Sequence, residues 1–502
     1  MRPFGYQGNQ RSPPHQPGVA VMQRTKMAAM VSMMTAIAMS LAGCSGGNGG
    51  FAAPANSAKE ASNPALITSG LEEDGADPWI VYEDGLYYYS KIVDDQVVLL
   101  RSPHLTSIAA GERSVAFDGG EGIESYWAPE LHRLDGSWYI YFAAQPVGGD
   151  GIHRTYVLSN PSKNPFAGEW TLHKMDGMDD KFAIDGTVVE NNRGRWFVWS
   201  GWAGNENVRQ DIYIAPMVSP TEVRGQKVLI SKPDHGWERH GDPKVNEGPA
   251  AIVRGDTVNL AYSASGSWTN EYCIGLLTAS VDADLANPDS WVKHDKPIMS
   301  SGNGIIAPGH NSFVASEDGA ETYMVYHSAR FKDGGWNRSV RFQPVAFDDK
   351  GVLEPMEPLR SSKLQPQPSG EHGRLRILAE DARLSGDAEL SKDVDALDGK
   401  AVAGLEDDDD AVEWKVRIPS SGQWGILAWM RMDEVGNEDE RAGVMVSVDS
   451  SDIEDVPDLV PATDYQPIAV RFALDAGEHT IRISANSIGN PVHLDRVELI
   501  PL

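Results

Sequence analysis

The sequence predicts an all-β protein: a five-bladed β-propeller over residues 66–360, followed by a jelly-roll-like β-sandwich over 375–502. Three observations predict it. Helical periodicity is scarce beyond an N-terminal apolar run, whereas short alternating apolar and aromatic runs bounded by Gly, Asp and Asn recur, as strands and tight turns do. A glycine turn leading into an aromatic-rich strand recurs five times. A Pro/Gln passage then separates these repeats from an acidic stretch with its own strand pattern.

At the N-terminus, Arg24 and Lys26 precede the apolar run 27–41, which ends in Leu41-Ala42-Gly43-Cys44. This resembles a bacterial lipoprotein signal, cut before a lipid-bearing Cys44. The resemblance implies loss of 1–43, a Gly-rich flexible tether over 44–65, and an exported protein held at the bacterial envelope by its lipid alone. Ser45 points to the outer membrane where there is one. Cys273 is the one other cysteine, so no intrachain disulfide is available, and its apolar neighbours make it a buried structural thiol.

The repeats come next: Asp84-Gly85-Leu86-Tyr87, Asp135-Gly136-Ser137-Trp138, Arg193-Gly194-Arg195-Trp196, Arg254-Gly255-Asp256-Thr257 and Asp318-Gly319-Ala320-Glu321. Their glycines are 51, 58, 61 and 64 residues apart, a spacing suited to four-stranded blades. A polar residue precedes each copy: Asp77, Glu130, Asp185, Glu247 and His310. Innermost blade strands surround one axis, so equivalent positions are expected to meet in a central funnel. The linker spans 361–374, through Gln365-Pro366-Gln367-Pro368. Beyond it, residues 371–502 hold 29 acidic and 12 basic side chains, more than half of the formal charge of −29. With no Lys/Arg cluster anywhere, nucleic acid is excluded as a partner. A composition 41% hydrophobic and 23% charged excludes a disordered chain.

Asp77-Pro78-Trp79, Trp127-Ala128-Pro129-Glu130, Ala183-Ile184-Asp185-Gly186, Asn246-Glu247-Gly248-Pro249 and Gly309-His310-Asn311-Ser312 occur in that order. Together they resemble glycoside hydrolase family 43 over roughly residues 66–356. The resemblance implies an inverting glycosidase with Asp77 as general base, Glu247 as general acid, and Asp185 raising and orienting the acid. The chemistry agrees, because inversion needs one protonated and one ionised carboxyl on opposite faces of the sugar, and a third carboxylate keeps the acid protonated. No cofactor is needed for this chemistry. The family's central histidine corresponds to His310, near which calcium is admitted.

Trp127 to His132, Trp199-Ser200-Gly201-Trp202, Trp237-Glu238-Arg239-His240 and Tyr262-Ser263-Ala264-Ser265-Gly266-Ser267-Trp268 resemble a subgroup of exo-acting α-L-arabinofuranosidases. Arabinan or arabinose-decorated plant polysaccharide is the expected substrate, with Trp127, Glu130, Trp202, Trp268, His310 and Arg341 expected to bind it. Phe182 departs from the subgroup's Trp, which leaves β-xylosidase and exo-galactanase activity as alternatives. A non-catalytic surface glycan-binding lipoprotein is the rival from another class. The C-terminal region resembles a family 6-like carbohydrate-binding module, from Ile377-Leu378-Ala379-Glu380 to His493-Leu494-Asp495-Arg496. That likeness implies a structural calcium at Glu380 and Asp495. The partners expected are an oligo- or polysaccharide and the membrane through the lipid, with the chain a monomer.

Overall fold

The computed structural model describes residues 61–502, apart from 63, 361, 434–439, 454–455 and 487–490. The signal, Cys44 and most of the tether lie outside the described residues. The described chain is built from strands joined by short turns and four 3-10 turns.

Residues 70–344 form three four-stranded sheets and one of nine strands, whose two antiparallel parts are joined by a short parallel pairing of Arg209 and Gln210 with Lys244 and Val245; counted by antiparallel strand runs, there are five units. The first runs Trp79–Glu83, Leu86–Val93, Gln96–Ser102, Glu112–Phe117, and the second Ile123–Leu134, Ser137–Pro146, Arg154–Asn160, Thr171–Lys174. The third contains Ala183–Asn191, Gly194–Gly201, Arg209–Ser219 and Val228–Ser231. The fourth contains Lys244–Arg254, Thr257–Ala264, Cys273–Ser280 and Val292–Lys293. The fifth has three consecutive strands, Ile306–Ala315, Thr322–Ala329 and Arg338–Pro344. Its fourth strand, Gly70–Glu72, comes from the start of the chain and closes the array. Asp84-Gly85 and Asp135-Gly136 turn their hairpins with φ of 52° and 84°, and 52° and 82°, the left-handed pair that suits a two-residue connection. The first strands of successive units contact one another in a closed ring, the fifth returning to the first.

The final region forms two sheets, of six and five strands. Trp424, Ile426, Ile468 and Val497 from one share a core with Val412, Trp414, Val446 and Ile481 from the other. The passage read as a linker is tied down: Gln365–Pro366 pairs with Leu66–Ile67, and Ser62 bridges to Arg376. Cys273 is buried, and burial pushes its thiol up to about 12.

Candidate active site

Each of the five first strands, or the approach to it, carries a residue in the left-handed region at or close to its polar residue, with Ser125 (59°) and Ala307 (52°) as second ones in the second and fifth. The five at or close to the polar residues are Asp77 (φ 49°), Ala128 (45°), Asp185 (53°), Gly248 (53°) and His310 (44°). In four of the units the strand register shifts there, between Trp127 and Glu130, Ile184 and Thr187, Glu247 and Ala250, and Gly309 and Ser312. Such bulges turn a side chain out of the ladder, and for a non-glycine residue they persist only where surrounding contacts enforce them. They correct the expected equivalence of the five polar residues. Asp185 and His310 occupy the bulge itself, Asp77 takes the same left-handed conformation two residues before its strand, Glu247 stands one residue before the bulge, and Glu130 two residues after the left-handed Ala128.

Asp77, Asp185, Glu247 and His310 meet in one cluster. Asp77 Oδ1 lies 3.0 Å from His310 Nδ1 and 3.4 Å from an Arg338 guanidinium nitrogen. The Asp77 backbone N–H donates to His327 Nδ1 at 3.0 Å, which leaves that imidazole neutral with its proton on Nε2. Asp185 Oδ2 accepts the Gly248 N–H at 2.9 Å. Tyr272 donates its hydroxyl to Glu247 Oε1 at 2.8 Å. Gly309 makes room for that tyrosine, since a Cβ there would lie 2.0 Å from Tyr272 Cε1.

The electrostatics divide the carboxyls. Burial works to raise Asp77, but the charge and hydrogen bond of His310, with help from Arg338, hold it well below the ordinary carboxylate range. Burial opposes a charge on His310 as well, yet Asp77 and Asp185 raise it to about 10. Glu247 is raised to about 7, first by burial and then by the nearby Asp185. Asp185 is also raised by burial, against the pull of His310 and the Gly248 N–H. The Gly248 N–H favours negative charge on Asp185, and Asp185 in turn raises Glu247, the carboxyl that retains a proton. One carboxylate stays ionised and another retains a proton close to neutral pH, the division that acid–base chemistry requires.

A cleft of about 280 Å³ opens here, lined by Asp74, Asp77, Trp127, Trp336 and Arg338 among others. Trp127 stacks on His153 at an interplanar angle of 16°. Trp202 stacks on Phe182, the departing residue, at 4.5 Å between ring centroids. Trp268 meets Trp336 edge to face at 6.3 Å. Glu130 is buried beside His132 Nε2 at 3.1 Å, with its carboxyl raised by burial, and so forms a neutral pair.

Arg341, expected to bind sugar, is instead committed to Ser328 and to Asp464 of the C-terminal sheets. It shares the strand Arg338–Pro344 with Arg338, but positions three apart on a strand point to opposite faces. Arg338 is thus the arginine at the cluster. Trp336, Arg338, Tyr272, His327 and His153 escaped the sequence reading. Trp336 in Asp333-Gly334-Gly335-Trp336 carried the one local signal, an aromatic residue in a glycine-rich turn.

The admitted calcium sites find no side-chain cage. Among the described residues no group of three candidate donors includes His310, Glu380 or Asp495. His310 Nδ1 is taken by Asp77. Glu380 pairs with Lys400, and Asp495 with Arg496 and the Leu397 N–H.

Residues 70–353 match the profile of a family described as glycosyl hydrolases family 43. A Streptomyces avermitilis protein named extracellular exo-alpha-(1->5)-L-arabinofuranosidase is 38% identical over 314 residues, 60% of this chain and 65% of its own. Alpha-L-arabinofuranosidase 43 of Humicola insolens is 39% identical over 329 residues, 62% of this chain and 66% of its own. The chain therefore spans just under two thirds of the length of these curated relatives. A crystal structure of alpha-L-arabinofuranosidase from Lactobacillus brevis superposes with a TM-score of 0.53 at 32% identity, covering 57% of this chain and 95% of that one.

Proposed function

The chain belongs to glycosyl hydrolases family 43, and from that premise we propose that it is an exported, inverting α-L-arabinofuranosidase that removes terminal arabinose from arabinan or arabinose-decorated polysaccharide. The observation that carries the reading is the pairing of an ionised Asp77 with a proton-retaining Glu247 in one cluster. Asp77 takes a proton from water as its oxygen attacks the anomeric carbon. Glu247 gives its proton to the departing glycosidic oxygen, and the C–O bond breaks with inversion. Asp185 holds the negative charge that keeps the proton on Glu247, while His310 and Arg338 keep Asp77 ionised. No step passes through a metal ion. Arabinose as the sugar rests on the names of the relatives at 38% and 39% identity.

The five sheet units, their closed ring of first strands and the closing strand Gly70–Glu72 support a five-bladed propeller. The shared core of the last two sheets supports a β-sandwich. Export and lipid attachment at Cys44 rest on the sequence of residues 24–44 and on the word extracellular in the name of the Streptomyces avermitilis relative.

The test is hydrolysis of 4-nitrophenyl α-L-arabinofuranoside, 4-nitrophenyl β-D-xyloside and α-1,5-linked arabinobiose, with NMR of the anomer first released. Glu247→Gln should lower turnover of arabinobiose about 10²–10⁴-fold, and less for the nitrophenyl glycoside, whose leaving group needs little protonation. The first product should be the β-anomer. Preference for the xyloside would keep the mechanism and reject the sugar. Sugar binding without cleavage of any substrate would favour a glycan-binding protein.

A further inference from the structure

Residues 371–502 contain five Trp, Tyr and Phe residues, the side chains on which sugars stack. Trp414, Trp424, Trp429 and Tyr465 are buried, and Phe472 rests half-buried on the same core. This region therefore offers no exposed aromatic platform. What it does offer is a segment, 459–464, that reaches the two loops lining the cleft.

The segment is seated on its own sheets by the Leu459–Ala442 bridge and by the Ala462 N–H donating to the Met432 carbonyl. From that seat it makes three contacts with the ring of sheets, one of them the Asp464–Arg341 ion pair already described. The Val460 N–H donates to the buried Glu73 carboxyl. The Thr463 N–H and hydroxyl both donate to the Arg330 carbonyl at 2.9 Å. Glu73 stands four residues before Asp77. Arg330 opens the loop that carries Trp336 and ends at Arg338, and that loop is closed by Arg330 N–H to the Asn337 carbonyl at 2.9 Å. The two loops are joined by the Gly75 N–H donating to the Arg338 carbonyl at 3.1 Å and by Arg330 facing Asp74 at 3.6 Å. A left-handed Asp77 needs this kind of external enforcement. The contacts form one path from the C-terminal sheets to the carboxylate and its arginine.

We propose that segment 459–464 is a positioning strap, with Glu73 as its anchor, that holds the Asp77 and Trp336–Arg338 loops in their working geometry. On this view the C-terminal sheets complete the active site and are not an appended sugar-gripping module. The proposal rests on the glycosidase reading for its catalytic readout, and it also has a readout that needs no catalysis.

Glu73→Ala in the full chain removes the acceptor for Val460. It should lower kcat on arabinobiose about tenfold while KM changes little. It should also move the acid limb of the kcat/KM profile to higher pH, because Asp77 loosens from His310 and Arg338. Glu73→Gln keeps an acceptor oxygen and should restore both. Hydrogen exchange of residues 74–79 and 330–338 should be about tenfold faster in Glu73→Ala. Where Glu73→Ala fails to fold, Thr463→Val, which loses only the hydroxyl, should give the same changes at about threefold. Wild-type kcat, acid limb and exchange in these variants would overturn the strap. A wild-type protein inactive on every glycoside would overturn the glycosidase reading instead, and the exchange data would then judge the strap alone.

Discussion

Tyr272→Phe tests the proton on Glu247 with little disturbance of shape. The tyrosine ring lies parallel to His327, at 11° and 5.8 Å, and fills the space over Gly309. Phenylalanine preserves both contacts and removes the one hydroxyl that donates to Glu247 Oε1 at 2.8 Å. A hydrogen bond to a charged group contributes about 1.5–3 kcal/mol, and part of it persists when the carboxyl is neutral. A difference of about 1.4 kcal/mol between the two forms corresponds to about one pKa unit. Losing the donor destabilises the carboxylate, so Glu247 moves upward from about 7. The general acid works protonated, and activity fails as pH rises through its pKa. The alkaline limb of kcat/KM for arabinobiose should therefore shift about one unit higher, measured from pH 5 to 10 with wild type alongside. A limb that stays in place, or moves to lower pH, refutes the assignment of Glu247 as the acid that Tyr272 contacts.

Asp185→Asn should move the same limb the opposite way, because it removes a negative charge that raises Glu247 while burial continues to raise it. Gly309→Ala drives a Cβ into the Tyr272 ring; urea unfolding should show a loss of about 1–3 kcal/mol, together with loss of turnover. Trp336, 59% exposed on the cleft, should act through binding, so Trp336→Ala should raise KM about fivefold, roughly 1 kcal/mol, with both pH limbs unmoved. Cys273 is buried and its thiol is pushed up to about 12, so thiol reagents should label it only after the protein unfolds.

What was legible in the sequence is what local patterns encode. Alternating apolar runs dictate strands, and the glycines at 85, 136, 194, 255 and 319, all with positive φ in the structure, mark hairpins because a tight turn demands that conformation of its own residues. The motifs around Asp77, Asp185, Glu247 and His310 were legible for the same reason, as short runs of turn formers flanking a polar side chain. The rest came with the folded chain, because periodicity gives the face of a strand and not its neighbour hundreds of residues away. Only the folded chain shows the bulge falling on Gly248 in place of Glu247, so that the acid is offset from Asp185 and Gly248 N–H is free to hold Asp185. Arg338 and Arg341 are indistinguishable as letters; which one faces Asp77 follows from the register of Arg338–Pro344 against Thr322–Ala329. The aromatics of the C-terminal region could have been surface platforms or core. Closing two sheets over one interior consumed Trp414 and Trp424, a separate cluster with Ala396 and Ala401 buried Trp429 and Tyr465, and segment 459–464 was left to meet the loops beside the cleft.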